Sequence, residues 1–301
     1  MWTDDETAAT GHSMNPARWR EAFEVAMGRM AGRFARNEPR LRAGRLILGL
    51  LSDLPRKNCW TIAEWAGEAS PHVMRHLLCR ASWDADAVRD DVREHVVEHL
   101  HDEAAVLVVD ETGDVKKGPH TVGVQRHTGT AGRIENSQVA FYLIYAGARG
   151  HAAVDREPYV PRSWTRDPDR CRAAGLGEET VFATKPELAR AMIERFMDAG
   201  HRGDWVTGDE VYGGNPKLRS ALEECGMGYV LAVACSAEVT TSAGSGWKRP
   251  SKARKGRRGS TRIRFAATPP GPAGSPSRCL FTPSSQWSAP TNTAAAKDQP
   301  T

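Results

Sequence analysis

The chain has 301 residues, 40% hydrophobic and 26% charged, the balance of a globular protein with one large core or two small ones. No apolar stretch reaches the roughly 18 residues that a membrane span needs, and the acidic, polar opening "MWTDDETAATGHSM" is unlike a secretory leader. The six cysteines (Cys59, Cys79, Cys171, Cys225, Cys235, Cys279) are scattered without a CxxC pair, which argues against a zinc ribbon and for reduced thiols in a cytoplasmic setting. The net charge of +4 hides an asymmetry: from residue 243 onward there are 11 Lys+Arg and one acid, whereas the first 242 residues hold 30 bases and 36 acids. The basic character belongs to the tail and says nothing about the fold.

Residues 15–36 read as a helix capped by Asn15, with Pro16 at its first position and Trp19, Phe23, Met27, Met30 and Phe34 on one face. "RLILGLLSDL" (45–54) is a second apolar helical stretch that stops at Pro55. In 61–83, Thr61 and Glu64 make a capping box, Gly67 allows a turn and Ser70-Pro71 starts another helix. The pattern is that of a helix-turn-helix, with Arg75, His76 and Arg80 as DNA contacts; an ordinary helical hairpin fits it equally well. A third segment, 84–101, carries Val88, Val92, Val96 and Leu100 every four residues.

From residue 104 the period becomes that of strands. "AAVLVVD" (104–110), "TVGVQRH" (121–127) and "SQVAFYLIYAG" (137–147) suit an antiparallel meander. Residues 148–183, rich in Pro, Arg and Asp, read as an irregular insertion. A helix follows over 184–200, with Thr184 and Glu187 as capping box and Gly200 as stop, then a strand at 205–209, a helix at 215–226 and a strand at 229–234. The sum is a mixed α/β sheet. Beyond residue 242 the many Pro, Gly and Ser residues and the lack of acids predict no stable structure.

Asp110 and Asp209 each end an apolar strand. If those strands are parallel neighbours, about 4.8 Å apart, both carboxylates stand at the carboxyl edge of the sheet, where open α/β sheets bind ligands. Two such charges repel unless a cation lies between them. A pair of Mg²⁺ ions, which prefer hard oxygen ligands, suits the site and would support phosphoryl transfer. Lys116 and Lys117, just past the first acid, would hold a phosphate backbone. Either acid alone could merely cap the turn that follows it.

The blocks "RKNCWTIAEWAG" (56–67), "LVVDETGDVKKG" (107–118), "VGVQRHTGTAGRIENSQVAFYL" (122–143), "YVPRSWTRDP" (159–168), "FATKPELA" (182–189), "WVTGDEVYGGNPKLR" (205–219) and "YVLAV" (229–233) stand in an order that resembles insertion-sequence transposases of the DDE superfamily endonucleases. The resemblance covers about 40–240. It implies a ribonuclease-H-like core and DNA cleavage and strand transfer dependent on Mg²⁺ or Mn²⁺. Asp110 would be the first metal-binding acid and Asp209 the second. Double-stranded DNA would be the partner, bound by a possible homo-oligomer, in a bacterial, nucleoid-associated setting. The division it suggests is 1–14 without structure, a helical DNA-binding region 15–102, a catalytic core 103–242 and a basic low-complexity tail 243–301. The family's third acid, a Glu on a later helix, has no counterpart: after Glu238 there is no Glu, and the only later acid is Asp298. A truncated or frameshifted copy would look like this, and strand transfer would then be impaired.

Other features carry less. His95 and His99 have metal-pair spacing and His101 follows, but "HVVEHLHD" lacks the HExxH order, so an exposed polar face is expected. Turn chemistry accounts for Glu111 and Asp114. "GTAGRIEN" (129–136) matches no nucleotide-binding loop, and the family motif at Glu135 and Asn136 has no evident physical role. The Arg-rich run 248–264 would bind any polyanion. Three functions compete: a transposase with a metal centre, a non-catalytic DNA-binding product that occupies transposon ends, and a phosphatase using Asp110 as nucleophile. The last would need an acid at 112, where Thr112 stands.

Overall fold

A computed structural model of the chain describes residues 15–118, 120–128, 134–233 and 264–268. They fall into two compact units, one ending at His95 and the other beginning at Val96.

In the first unit Asn15 caps helix α1 (Pro16–Arg29) by accepting hydrogen bonds from the amides of Ala17 and Arg18. The helix tightens into a 3-10 turn at Met30–Arg33, short of the expected residue 36. Trp19 does not line the buried face as expected; it is 61% exposed, while Met27 and Met30 are buried. The helix packs through its later turns, where Phe23 and Met27 lie against Gly44 of α2 (Asn37–Leu51). Next come α3 (Cys59–Trp65) and α4 (His72–Cys79). The capping box lies one turn earlier than the Thr61–Glu64 expectation: Asn58 accepts from the amides of Trp60 and Thr61, and the Thr61 hydroxyl answers the Asn58 amide. Gly67, at φ +72°, turns the chain toward α4. Ile62, Ala63 and Met74 bury with Leu46 and Leu54, and a Cβ at Gly49 would lie 2.6 Å from Ile62, so α2 and α3 touch closely. Asp84 caps α5 (Ala85–Leu100), and Arg33 reaches across to Asp91 with two hydrogen bonds of 2.7 and 2.8 Å.

The second unit is built on a sheet of β1 (Val106–Val115), β2 (Gln125–Thr128), β3 (Ile134–Gly147), β4 (Gly150–Pro158), β5 (Trp205–Gly208), β6 (Gly228–Val233) and β7 (Arg264–Thr268). The order is β2-β3-β1-β5-β6-β7, with β4 also beside β3. β1, β5 and β6 run parallel; β1–β3, β2–β3, β3–β4 and β6–β7 are antiparallel. This is the expected ribonuclease-H-like mixed sheet, but its first strands are not a simple meander. β3, with 14 residues, lies between β1 and β2 and is long enough to pair β2 along its start and β4 along its remainder. The stretch 148–183 is not irregular either: it holds β4 and two short helices, α6 (Arg162–Thr165) and α7 (Pro168–Ala173). A short helix α9 (Glu210–Gly213) precedes α10 (Pro216–Glu224). β7 overturns the expectation of an unstructured tail at 264–268; the rest of the tail, including most of the Arg-rich run, lies outside the described residues.

Helix α8 (Lys185–Asp198) lays Ala189, Met192, Ile193 and Phe196 on the inner positions Leu107, Val109, Phe141, Leu143 and Tyr145. A charge cluster fixes it to β4. Arg195 donates to Asp155 at 2.8 Å and to Glu157 at 2.7 Å, and both acids are buried. Burial works against the Arg195 charge, but the two carboxylates outweigh it and keep the guanidinium firmly protonated. Arg195→Leu would strand two buried carboxylates and cost about 3–5 kcal/mol in urea unfolding of the full chain; a loss below about 1 kcal/mol would mean the acids find water instead.

Candidate active site

The parallel β1–β5 ladder pairs Val106 with Trp205, Leu107 with Val206 and Val108 with Thr207. Asp110 and Asp209 each stand two residues beyond the last of these pairs, at one level. Strand alternation puts Asp110 on the face of Val106 and Val108. Asp209 keeps extended backbone (φ −76°, ψ −170°) and so continues the face of Trp205 and Thr207. The two residues therefore continue corresponding faces of neighbouring strands, and both are exposed. Asp110 Oδ1 accepts the Glu111 amide at 2.8 Å, and Asp209 Oδ1 accepts the Val211 amide at 2.9 Å, capping α9. Their Oδ2 atoms take no hydrogen bond from the described residues. Two free hard oxygens at one level fit Mg²⁺ or Mn²⁺, which bind through one or two carboxylates and keep several waters. Among the described residues no third His, Cys, Asp or Glu joins them to form a metal-holding cluster.

The turn after Asp209 needs its glycines. A Cβ on Gly208 would lie 3.0 Å from the Tyr212 ring, and one on Gly213 would run into the Ala232 carbonyl oxygen. Tyr212 is 1% exposed and meets Phe141 edge-on, with ring centroids 6.5 Å apart. Its buried hydroxyl has no hydrogen-bond partner among the described residues. Burial first, then the charges of Glu111, Asp209 and Asp110, push the phenol far above its ordinary value, so it stays a neutral donor.

Glu111 points the other way from Asp110, to the face of Leu107 and Val109. It is not the turn residue expected, because β1 continues to Val115. Its Oε1 takes the Lys185 ammonium at 2.6 Å, and its Oε2 is buried without a hydrogen-bond partner among the described residues. Lys185 occupies the first position of α8, which is capped as expected: Glu187 accepts from the amide and hydroxyl of Thr184, both at 2.7 Å. The backbone hydrogen bond and then the hydroxyl hold the Glu187 carboxyl below its usual range.

Sequence reasoning missed Lys185, Glu111 and Tyr212 as members of this site. One clue was available: a lysine at a helix N-terminus opposes the helix dipole and implies a compensating acid nearby. Lys116 and Lys117 lie elsewhere, six and seven residues along an extended ribbon and so roughly 20 Å from Asp110 at about 3.3 Å per residue. Lys116 is paired with Asp114, and its amide continues the ribbon to the Asn136 carbonyl at 2.8 Å. Arg75, His76 and Arg80 are exposed on α4 and its C-terminal end, in the first unit. His95 and His99 lie on α5 with His101 just beyond, and they belong to no metal-holding group of three among the described residues.

A family model described as DDE superfamily endonuclease matches residues 29–297. The probable transposase for insertion sequence element IS701 of Microchaete diplosiphon is 31% identical over 192 residues, 62% of this chain and 47% of that protein. The chain thus spans about half the length of this curated relative.

The cap beneath Lys185 sets a pH dependence. Because the folded Glu187 pKa is depressed, its contribution is present above the unfolded value of about 4.3 and is lost as pH falls through the folded one. Thr184→Ala should cost about 1 kcal/mol at pH 7, and the gap from the native protein should close on acidification in denaturant titrations. A gap of constant size down to pH 3 would mean the box is not electrostatic in origin.

Proposed function

Because the chain belongs to the DDE superfamily endonucleases, we propose that it is an insertion-sequence transposase product whose Asp110 and Asp209 hold Mg²⁺ or Mn²⁺ against the backbone of double-stranded DNA. What supports this reading is that Asp110, midway along β1, and Asp209, just past β5, each stand two residues beyond the last β1–β5 pair and on corresponding faces. When bound, such ions supply the Lewis-acid stabilisation that phosphoryl transfer between DNA strands requires. The protein's own part is to hold two negative charges side by side, to keep Tyr212 protonated beside them, and to pair the half-buried Glu111 and Lys185 on the other face of β1. DNA is gathered by the helical first unit, with Arg75, His76 and Arg80 toward the phosphates. Lys116 and Lys117 meet the duplex some distance from the acids. A homo-oligomer assembled on two DNA ends is part of the same reading.

Past Glu238 the sequence offers no glutamate, and Asp298 is its only later acid. With two carboxylates in place of three, the second ion is poorly fixed, so cleavage and strand transfer by this chain are impaired. That favours a second reading, a product that occupies transposon ends without cutting them.

Calorimetric titration with Mn²⁺ and a supercoiled-plasmid nicking assay test both. The native chain should bind Mn²⁺, Asp110→Ala and Asp209→Ala should each weaken binding by about 10-fold or more, and nicking should be weak. Unchanged Mn²⁺ binding in both variants removes the metal centre; robust nicking abolished by Asp110→Ala removes the impairment and the second reading with it. For the DNA surface, Arg75→Ala and Arg80→Ala should each lower the log–log salt slope of duplex binding by about 1. An unchanged slope would leave α3 and α4 as a plain structural hairpin.

A further inference from the structure

The ladder that aligns the two acids stops before it reaches them. Its last pair is Val108–Thr207. Beyond it, β1 continues beside β3 as far as Val115, while the chain after Asp209 turns away into α9. Two carboxylates so placed repel, yet no ladder pair among the described residues sets their separation.

Side chains make the connection instead. Glu111 adjoins Asp110 on the opposite face of β1, and Tyr212 follows Asp209 by three residues. Lys185, from α8, donates to Glu111 Oε1 at 2.6 Å and lies 5.8 Å from the ring centre of Phe141, the β3 residue directly opposite Glu111. Tyr212 packs edge-on against that same ring at 6.5 Å and rests on Gly208, the last residue of β5. One phenylalanine thus receives a contact from each side of the gap. Glu111 Oε2 and the Tyr212 hydroxyl, an acceptor and a donor, are both buried without a hydrogen-bond partner among the described residues.

The geometry points to Glu111, Lys185 and Tyr212 as positioning residues that tie the middle of β1 to the exit of β5 and so set the spacing of Asp110 and Asp209. The inference rests on the metal-site reading above and adds a device to it. Lys185 tolerates the helix N-terminus because Glu111 neutralises it, and Glu111 tolerates burial because Lys185 does the same. Removing either partner leaves an uncompensated, half-buried charge beside β1, and the strand loosens there.

The test uses the full chain and the variants Glu111→Gln, Lys185→Met, Tyr212→Leu and Lys185→Arg. Hydrogen exchange without metal is followed in peptides covering 107–115 and 205–213, and Mn²⁺ affinity is measured separately. Each of the first three variants should speed exchange in both peptides together and weaken Mn²⁺ binding by about 10-fold or more. Lys185→Arg, which keeps the charge, should restore both. Exchange that changes in one peptide only, or in neither, overturns the tie. So does Mn²⁺ affinity that stays constant in these variants while Asp110→Ala abolishes it. Should Asp110→Ala leave Mn²⁺ binding intact, the metal centre fails as well, whereas coupled exchange in the two peptides would show that the mechanical tie itself exists.

Discussion

The parallel β1–β5 ladder is the constraint around which the second unit is organised, and Asp110 and Asp209 each stand two residues beyond its last pair. Both residues are exposed, so water screens much of their mutual repulsion: two unit charges 4 Å apart repel by only about 1 kcal/mol in bulk water, comparable with the net contribution of an ordinary hydrogen bond. The amides of Glu111 and Val211 each donate to one of the aspartates. In the reading proposed above, a divalent ion would take up the carboxylate oxygens that remain. The remaining architecture serves the placement: a parallel ladder for level, strand alternation for direction, and two glycines that let Tyr212 fold back under the turn.

What could be read from the sequence was what local chemistry determines. Asn15 before Pro16, the Thr184 and Glu187 pair, and valine-rich runs ending in Asp110 and Asp209 each carry their meaning within a few residues. Asn58 and Thr61 are both good caps, so the earlier one could take the helix start without any tertiary help. Elements that depend on distant partners stayed hidden. β4 reads as part of an irregular insertion because its Asp155 and Glu157 are acids, and only Arg195, some forty residues on, makes their burial tolerable. The insertion of β3 between β1 and β2 depends on strand length and has no local marker. Glu111 and Lys185 are 74 residues apart, and neither is unusual by itself.

The same distinction explains the tail. Its composition suggests a segment without a core, yet Arg264–Thr268 adds a strand beside β6. A strand of five residues needs only an edge with unpaired backbone groups, and composition outside those five residues has no bearing on whether the edge is used.

The back-to-back arrangement of Asp110 and Glu111 makes this stretch of gene unusually sensitive to changes of length. Loss or gain of one codon between Val106 and Asp110 would turn the rest of the strand inside out. Loss would bring Glu111 to the open side and leave Thr112 opposite Lys185, whereas gain would turn Asp110 toward Lys185, a methylene short of its ammonium. Substitutions here can be graded in effect, but a change of length by one residue displaces both acids at once.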